Sequence, residues 1–473
     1  MRVPRLHQIL LLTIVMVMFC GDMRSYAAER SPNIILILLD DLGKEWIGCY
    51  GASDIDTPHI DALASQGMKF ENAYSMPQCT PTRACLLTGQ YPYRNGWINH
   101  WDVPRWGRGC HFDPRHNLTF ARLLREHGYR TCIAGKWQIN DFRDDPAILQ
   151  KHGFDAYCMW TGYERGNPPS DKRYWNPYIH TSEGSRTYSD RFGPDVYSDF
   201  IVDFMKANRD HPMLVYFPMC LPHGPLTDTP ADPGITAPLM KHKAMVRYID
   251  LITEKLVTTV NDLGLSNDTI IVWTTDNGTS GRMRGKINGR EIRGAKGRSN
   301  EPGVCQPFIV WGPGRVPANV TTDALVDVSD LFPTFLELAG IPIPREVTLD
   351  GQSFAPLITG QAQDSPRSWI MAMGGQAGRF DEDSQRVAPV FEYRDRVIRN
   401  KRYKLGIDTS RRAVTLFDLK KDPAEQDNLI DSTLPEVIAA KESLLRVAET
   451  FPEKDAWPRY DPVEPLKDNQ PKP

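Results

Sequence analysis

The chain has 473 residues, 41% hydrophobic and 24% charged, a balance ordinary for a folded globular protein and inconsistent with general disorder. Its 56 basic and 59 acidic residues leave a net charge of −3, so no global basic field exists to hold a nucleic acid, and any anion must be recognised locally. The length exceeds that of one ordinary domain and predicts a large unit with a smaller companion.

In chain order, Arg2 and Arg5 precede an apolar run over 9–19, and Ser25-Tyr26-Ala27 offers small residues before a cut. This layout predicts a secretory signal peptide over 1–27, hence export to the periplasm or outside the cell. The run is short for a bilayer span, an N-terminal anchor being the alternative, and bulky Phe19 argues against a lipoprotein cysteine at Cys20. No other stretch reads as a membrane span. Export permits disulfides. The cysteines are scattered with no CxxC pair, so neither a zinc ribbon nor a disulfide scaffold is indicated, and Cys132 and Cys220, beside apolar runs, read as buried thiols.

Apolar runs at 33–39, 129–134, 213–217, 269–274 and 307–311 read as buried parallel strands. Helical patterns lie between them. Thr57-Pro58 predicts a capped helix that Gly67 stops, and 117–127, 197–208 and 243–263 carry the helical period. Strands alternating with helices predict an α/β domain over 28–340, a large mostly parallel sheet flanked by helices. Beyond it, runs at 397–405 and 414–419 read as antiparallel strands and 436–451 as an amphipathic helix. These predict a smaller α+β domain over 341–457, followed by a polar, proline-rich tail over 458–473.

The residues just past the strands carry the chemistry. The first strand ends in Asp40-Asp41, the second in Gly135-Lys136, and the fourth in Asp276-Asn277-Gly278, while Pro222-His223 lies shortly after the third. Ligands of open α/β sheets bind at the carboxyl ends of strands. Asp40-Asp41 alone could be a strand-ending turn or cap, and Asp276-Asn277-Gly278 alone reads as a turn. Together, each after an apolar strand, Asp40, Asp41, Asp276 and Asn277 favour a hard divalent cation such as calcium or magnesium.

The segment Cys79-Thr80-Pro81-Thr82-Arg83 to Gly89 predicts a helix with Cys79 at its N-terminus, where free backbone N–H groups favour an anion. Arg83, one turn on, adds a charged fork. A lone cysteine is more often an inert buried thiol, but the flanking proline, arginine and glycine argue otherwise here.

Cys79-x-Pro81-x-Arg83 with Leu87-Thr88-Gly89 resembles the signature of the sulfatase family, within the alkaline phosphatase superfamily. The resemblance extends over Asp40-Asp41, Gly135-Lys136-Trp137, Pro222-His223-Gly224-Pro225, Thr275-Asp276-Asn277-Gly278, Gly294-Ala295-Lys296-Gly297 and Glu301-Pro302-Gly303. Tyr403-Lys404-Leu405 and Leu416-Phe417-Asp418-Leu419 through Asn428-Leu429 are similar to the family's C-terminal domain.

That resemblance implies a sulfuric ester hydrolase in which a maturing enzyme, formylglycine-generating or other, oxidises Cys79 to formylglycine. It implies one metal, calcium rather than magnesium, on Asp40, Asp41, Asp276, Asn277 and residue 79. Arg83, Lys136 and Lys296 would screen the sulfate. One hydroxyl of the formylglycine hydrate would attack sulfur, Asp276 taking its proton, and His223 with Lys296 would protonate the leaving alcohol. The second hydroxyl would expel sulfate. The substrate would be a sulfated carbohydrate or an aryl sulfate.

Two departures stand out. Gln138 occupies the place of the family's usual histidine, which is thought to take the hydrate proton in the elimination step; an amide cannot serve as that base. His100, His111 and His116 are nearby substitutes. Pro302 stands where the family often has glycine and stiffens that loop. Segments 96–116 and 163–191 mix aromatic and basic residues suited to a sulfated sugar, surface loops being the alternative. Gln138, His100 and Arg165 are the substrate-binding candidates. A phosphate or phosphonate ester hydrolase of the same superfamily, and a non-catalytic binder of sulfated glycans favoured by Gln138, are the competing readings.

Overall fold

The computed structural model describes residues 31–98, 111–161, 172–374, 378–381 and 386–461. The described residues from Pro32 onward form one compact unit. The expected signal peptide, Cys20, His100, Arg165 and the tail beyond 461 lie outside the described residues.

The main sheet takes its first eight strands in chain order: β1 (Asn33–Leu39), β2 (Met68–Tyr74), β3 (Arg130–Lys136), β4 (Ala156–Trp160), β5 (Tyr178–Thr181), β6 (Gly184–Thr187), β7 (Met213–Pro218) and β8 (Thr269–Thr275). A separate hairpin, β9 (Arg284–Ile287) and β10 (Arg290–Arg293), intervenes before β11 (Cys305–Trp311) and β12 (Val320–Asp327) complete the sheet. The order is β12-β2-β11-β8-β1-β7-β3-β4-β5-β6. Its centre, β8-β1-β7-β3-β4, is parallel throughout.

The central strands are continuous apolar runs because both faces are covered. Along β1, Ile34, Leu36 and Leu38 enter one core, and Ile35, Ile37 and Leu39 enter the other. Helices Cys79–Thr88, Phe120–Glu126 and Leu331–Leu338 pack into the first core. Helices Pro58–Ser65, Gly193–Asn208 and Pro238–Asp262 pack into the second. Each fully buried Leu or Ile contributes about 1.5–3 kcal/mol.

Three expectations are corrected. The run at 307–311 is a sheet strand, but β11 pairs antiparallel with both β2 and β8. Two-sided burial gives the same apolar run whichever way a strand points. Thr57 is the N-cap residue of Pro58–Ser65 but makes no side-chain cap. Its hydroxyl meets Gly48 N and Asp61 instead, and the Asp250 carboxylate from a distant helix accepts the N–H groups of His59 and Ile60. The single strand expected over 397–405 is a hairpin, turned by Asn400, whose side-chain oxygen accepts from Arg402 N and Tyr403 N.

Beyond the main sheet, β13 (Ile370–Met373) is followed by a hairpin, β14 (Gly378–Asp381) and β15 (Arg386–Pro389), then by β16 (Arg396–Arg399), β17 (Tyr403–Ile407) and β18 (Ala413–Asp418). A four-stranded antiparallel sheet runs β13-β16-β17-β18, and helix Pro435–Ala448 buries Val437 and Leu444 in the first core. No helix among the described residues is long and apolar enough to cross a membrane.

Glu301 joins the two sheets. Its carboxylate accepts from Arg399 Nη1 at 2.7 Å, from Lys404 Nζ at 3.1 Å and from the Tyr74 hydroxyl, while Lys404 also meets Glu425 at 2.8 Å. Burial alone would raise the Glu301 pKa, but Arg399 and Lys404 outweigh it and bring the group down to about 2. A depressed carboxylate stabilises the fold above its unfolded pKa, and that stability is lost as pH falls through the folded value. Glu301→Gln is therefore expected to cost about 3 kcal/mol at neutral pH. Its denaturant midpoint should also change less than wild type's between pH 4.5 and pH 2. Parallel curves for the two proteins would remove this role from Glu301.

Candidate active site

The parallel order β8-β1-β7-β3 places four strand ends side by side. Asp40 follows β1 and Asp276 follows β8, both fully buried. Asp41 stands at φ +70°, a left-handed turn that an aspartate tolerates, so consecutive carboxylates stay together at the strand end. Gly135, just before Lys136, stands at φ +116°, and a Cβ there would lie 2.1 Å from the Pro218 carbonyl of β7. Only glycine permits that approach, which sets where Lys136 leaves the sheet.

Cys79 opens the helix Cys79–Thr88, and Gly89 ends it at φ +66°, as the sequence predicts. Thr82 Oγ1 lies 2.7 Å from the Asp276 carbonyl and fixes the first helical turn to the end of β8. Arg83 is 1% exposed. Its Nη2 donates to Asp276 Oδ2 at 2.7 Å, and its Nη1 donates to the Lys136 carbonyl at 3.0 Å. The arginine therefore joins the helix to two strand ends.

The charges are paired. Lys136 Nζ meets Asp40 Oδ2 at 2.5 Å, Lys296 Nζ meets Asp41 Oδ1 at 2.6 Å, and His223 Nε2 lies 3.7 Å from Asp41 Oδ2. Asn277 Nδ2 donates to Asp41 Oδ1 at 2.8 Å. Burial would raise the Asp40 pKa, but Lys136, His223, Arg83 and Lys296 hold it well below the ordinary carboxylate range. Burial, then the Asp40 charge, push Asp276 up to about 7 against the pull of Arg83. Burial brings His223 down to about 3 despite Asp40 and Asp41. Burial opposes the Lys296 charge, but Asp41 and Cys79 hold its pKa above the usual lysine value.

A cavity of about 320 Å³ opens over these groups, lined by Gln78, Cys79, Lys136, Gln138, Trp160, Arg173, His223, Lys296 and Gly297. Asp40, Asp41, Asp276, Asn277 and Arg83 lie behind that lining. Two of their oxygens, Asp40 Oδ1 and Asn277 Oδ1, are buried without a hydrogen-bond partner. Asp40, Asp41 and His223 bring ligand atoms within 4.8 Å of one another. Unpartnered buried oxygens, and a carboxyl raised by its acidic neighbours, are what a hard cation would relieve. The donor set Asp40, Asp41, Asp276 and Asn277 fits calcium or magnesium.

A family model described as Sulfatase matches residues 32–341. The chain belongs to the sulfatase family. It is a sulfuric ester hydrolase. A second model, N-sulphoglucosamine sulphohydrolase, C-terminal, matches residues 296–449. The N-acetylgalactosamine-6-sulfatase of Canis lupus familiaris is 31% identical over 384 residues, 75% of this chain and 71% of that protein. Arylsulfatase A of Homo sapiens is 30% identical over 467 residues, 88% of each. Among solved structures, Ps i-CgsB in complex with k-i-k-neocarrahexaose has a TM-score of 0.73 at 26% identity, covering 90% of this chain and 95% of that one.

Within this sulfatase, Gln138 stands at φ +71° and lines the cavity. Its Oε1 accepts from Cys79 Sγ at 3.5 Å, and its Nε2 lies 3.4 Å from Thr80 Oγ1. His111 and His116 do not line the cavity; their Nε2 atoms meet Asp461. Trp160 and Gln78 are lining residues that the motifs do not single out. Trp160 ends β4, whose register sets it beside Lys136, so recognising the apolar run at 156–160 as a strand would have found it. Sequence marks Arg173 only as part of a loop segment. Its guanidinium lies 3.8 Å from the Trp160 ring centroid, and its Nη1 is 3.1 Å from His223 Nδ1.

If the acid set holds calcium, adding Ca²⁺ to chelator-stripped protein is expected to raise the thermal midpoint. The gain at a hundredfold excess over Kd is about 2.7 kcal/mol. Asp41→Ala should lose the response. A midpoint in wild type indifferent to both chelator and Ca²⁺ would exclude the site.

Proposed function

We propose that the chain hydrolyses sulfate monoesters on a sulfated carbohydrate, with a nucleophile made by oxidising Cys79 to formylglycine. The observation that carries this reading is Cys79 at a helix N-terminus, in a cavity it shares with Lys136, His223 and Lys296, with three acids behind it. Sulfated sugars also stand in the names of relatives such as N-acetylgalactosamine-6-sulfatase.

A bound sulfate would replace the acids as partner to Lys136 and Lys296, which face the cavity. Ca²⁺ on Asp40, Asp41, Asp276, Asn277 and residue 79 would supply further positive charge toward the non-bridging oxygens. Arg83 holds the first helical turn against Asp276 and adds its charge from behind. A formylglycine hydrate at residue 79 would supply one hydroxyl as nucleophile toward sulfur and a second through which sulfate could be expelled and the aldehyde restored. Asp276, against which the first turn of the Cys79 helix is seated, is the group to take the first proton. His223, which would become charged once the bound sulfate's negative charge stands beside it, delivers with Lys296 a proton to the departing alcohol oxygen. Gln138 hydrogen-bonds the sulfate but cannot take the second hydroxyl's proton. We assign residues 1–27 to export and place the boundary between the catalytic and C-terminal domains at 340/341. A sulfatase-maturing enzyme is the required partner.

Mass spectrometry of the peptide containing residue 79, after expression with a maturing enzyme, should find aldehyde in place of thiol. Unmodified Cys79 in protein that turns over no sulfate ester would favour the glycan-binder reading, for which Gln138 speaks. Cys79→Ala should lower kcat by at least about 10³-fold. Turnover of phosphate esters above sulfate esters would shift the assignment within the superfamily.

Gln138→His supplies the missing base. Because a positioned base contributes roughly 10² or more, kcat should rise by up to roughly 10²-fold where elimination limits turnover. An unchanged steady-state rate with intact aldehyde would show that position 138 does not limit the cycle.

A further inference from the structure

The cavity's cations are unequally satisfied. Lys136 is paired with Asp40 and Lys296 with Asp41, and behind them Arg83 is paired with Asp276. Arg173 lines the same cavity and has no carboxylate partner among the described residues. Its guanidinium lies against the face of Trp160, itself 3% exposed, and its Nη1 is 3.1 Å from His223 Nδ1, which also lies 2.7 Å from the Gly224 carbonyl. Its Nε is buried and meets no hydrogen-bond partner. A guanidinium stacked on an indole is held in orientation while its charge stays unneutralised. Tyr174 pins the same stretch, donating to the Cys220 carbonyl at 2.7 Å and lying 2.5 Å from the His223 carbonyl.

We propose that Arg173 is a specificity-determining residue that takes a second oxyanion, a carboxylate or another sulfate, borne by the sugar that leaves. The inference rests on the proposed sulfate hydrolysis, because His223 then marks the leaving-group side and Arg173 adjoins it. The planar fork suits a bidentate oxyanion, and no carboxylate among the described residues is paired with the charge. A cavity of about 320 Å³ is small for a binding pocket, which brings a second substituent on the same ring within reach of its walls.

The test compares Arg173→Gln with wild type, both with residue 79 verified as aldehyde, on three sugars: a neutral monosulfated hexose, a monosulfated hexuronate and a disulfated hexose. The readout is the ratio of kcat/KM between each doubly anionic sugar and the neutral one. Any disturbance of His223 lowers all three alike and cancels in the ratio. Wild type should prefer at least one doubly anionic sugar, and Arg173→Gln should reduce that preference by about tenfold, through KM. The sugar that loses its advantage identifies carboxylate or sulfate as the partner. Arg173→Lys should restore part of it, because a point charge lacks the fork.

An equal loss on all three sugars would make Arg173 a positioning residue for His223 and overturn the proposal, as would a wild type without preference. Calorimetric binding of the same sugars to Cys79→Ala and to Cys79→Ala with Arg173→Gln reads the same ratio without turnover. Failure of matured wild type to cleave any sulfate ester thus counts against the hydrolysis reading, while the binding ratio still decides Arg173.

Discussion

Asp40, Asp41 and Asp276 share one buried corner at the carboxyl end of the sheet, and their mutual repulsion is the constraint on which the site depends. Lone ionised carboxylates in such a place are prohibitive. The structure answers with Lys136 on Asp40, Lys296 on Asp41 and Arg83 on Asp276. The balance is incomplete: Asp276 is pushed up to about 7, and Asp40 Oδ1 and Asn277 Oδ1 lack partners. A corner whose three cations leave two buried oxygens without partners is one that a divalent ion can complete. Its entry would free two lysines for an anionic substrate.

The fold delivers this corner through backbone more than side chains. Parallel β8, β1, β7 and β3 lie in sequence across the sheet, so the residues just past each strand converge without long loops. Gly135 admits the close approach of β3 to Pro218, and the Thr82 hydroxyl and Arg83 guanidinium seat the Cys79 helix on the ends of β8 and β3. Because the acids lie behind Cys79 and the lysines beside it, recognition of the ester and support of the charge occupy different layers.

Much of this is legible in the sequence. Asp40-Asp41, Lys136, His223 and Asp276-Asn277 each follow an apolar run, and Cys79 through Gly89 carries both the start and the stop of its helix. The direction of β11 is not legible, because burial on both faces erases any mark of polarity. Thr57 has the residue type of a side-chain cap, whereas the acceptor comes from Asp250, nearly two hundred residues away along the chain. Trp160 and Arg173 escape for a related reason. Neither stands in a motif, and their significance arises from β4 lying next to β3 and from a stacking contact that spacing does not encode.

The most direct measurement is a crystal structure of the matured protein grown with Ca²⁺ and sulfate. One ion should touch Asp40 Oδ1 and Asn277 Oδ1, with Lys136 and Lys296 turned from Asp40 and Asp41 onto sulfate oxygens. Both lysines still paired with those aspartates, and no ion between the acids, would contradict this reading.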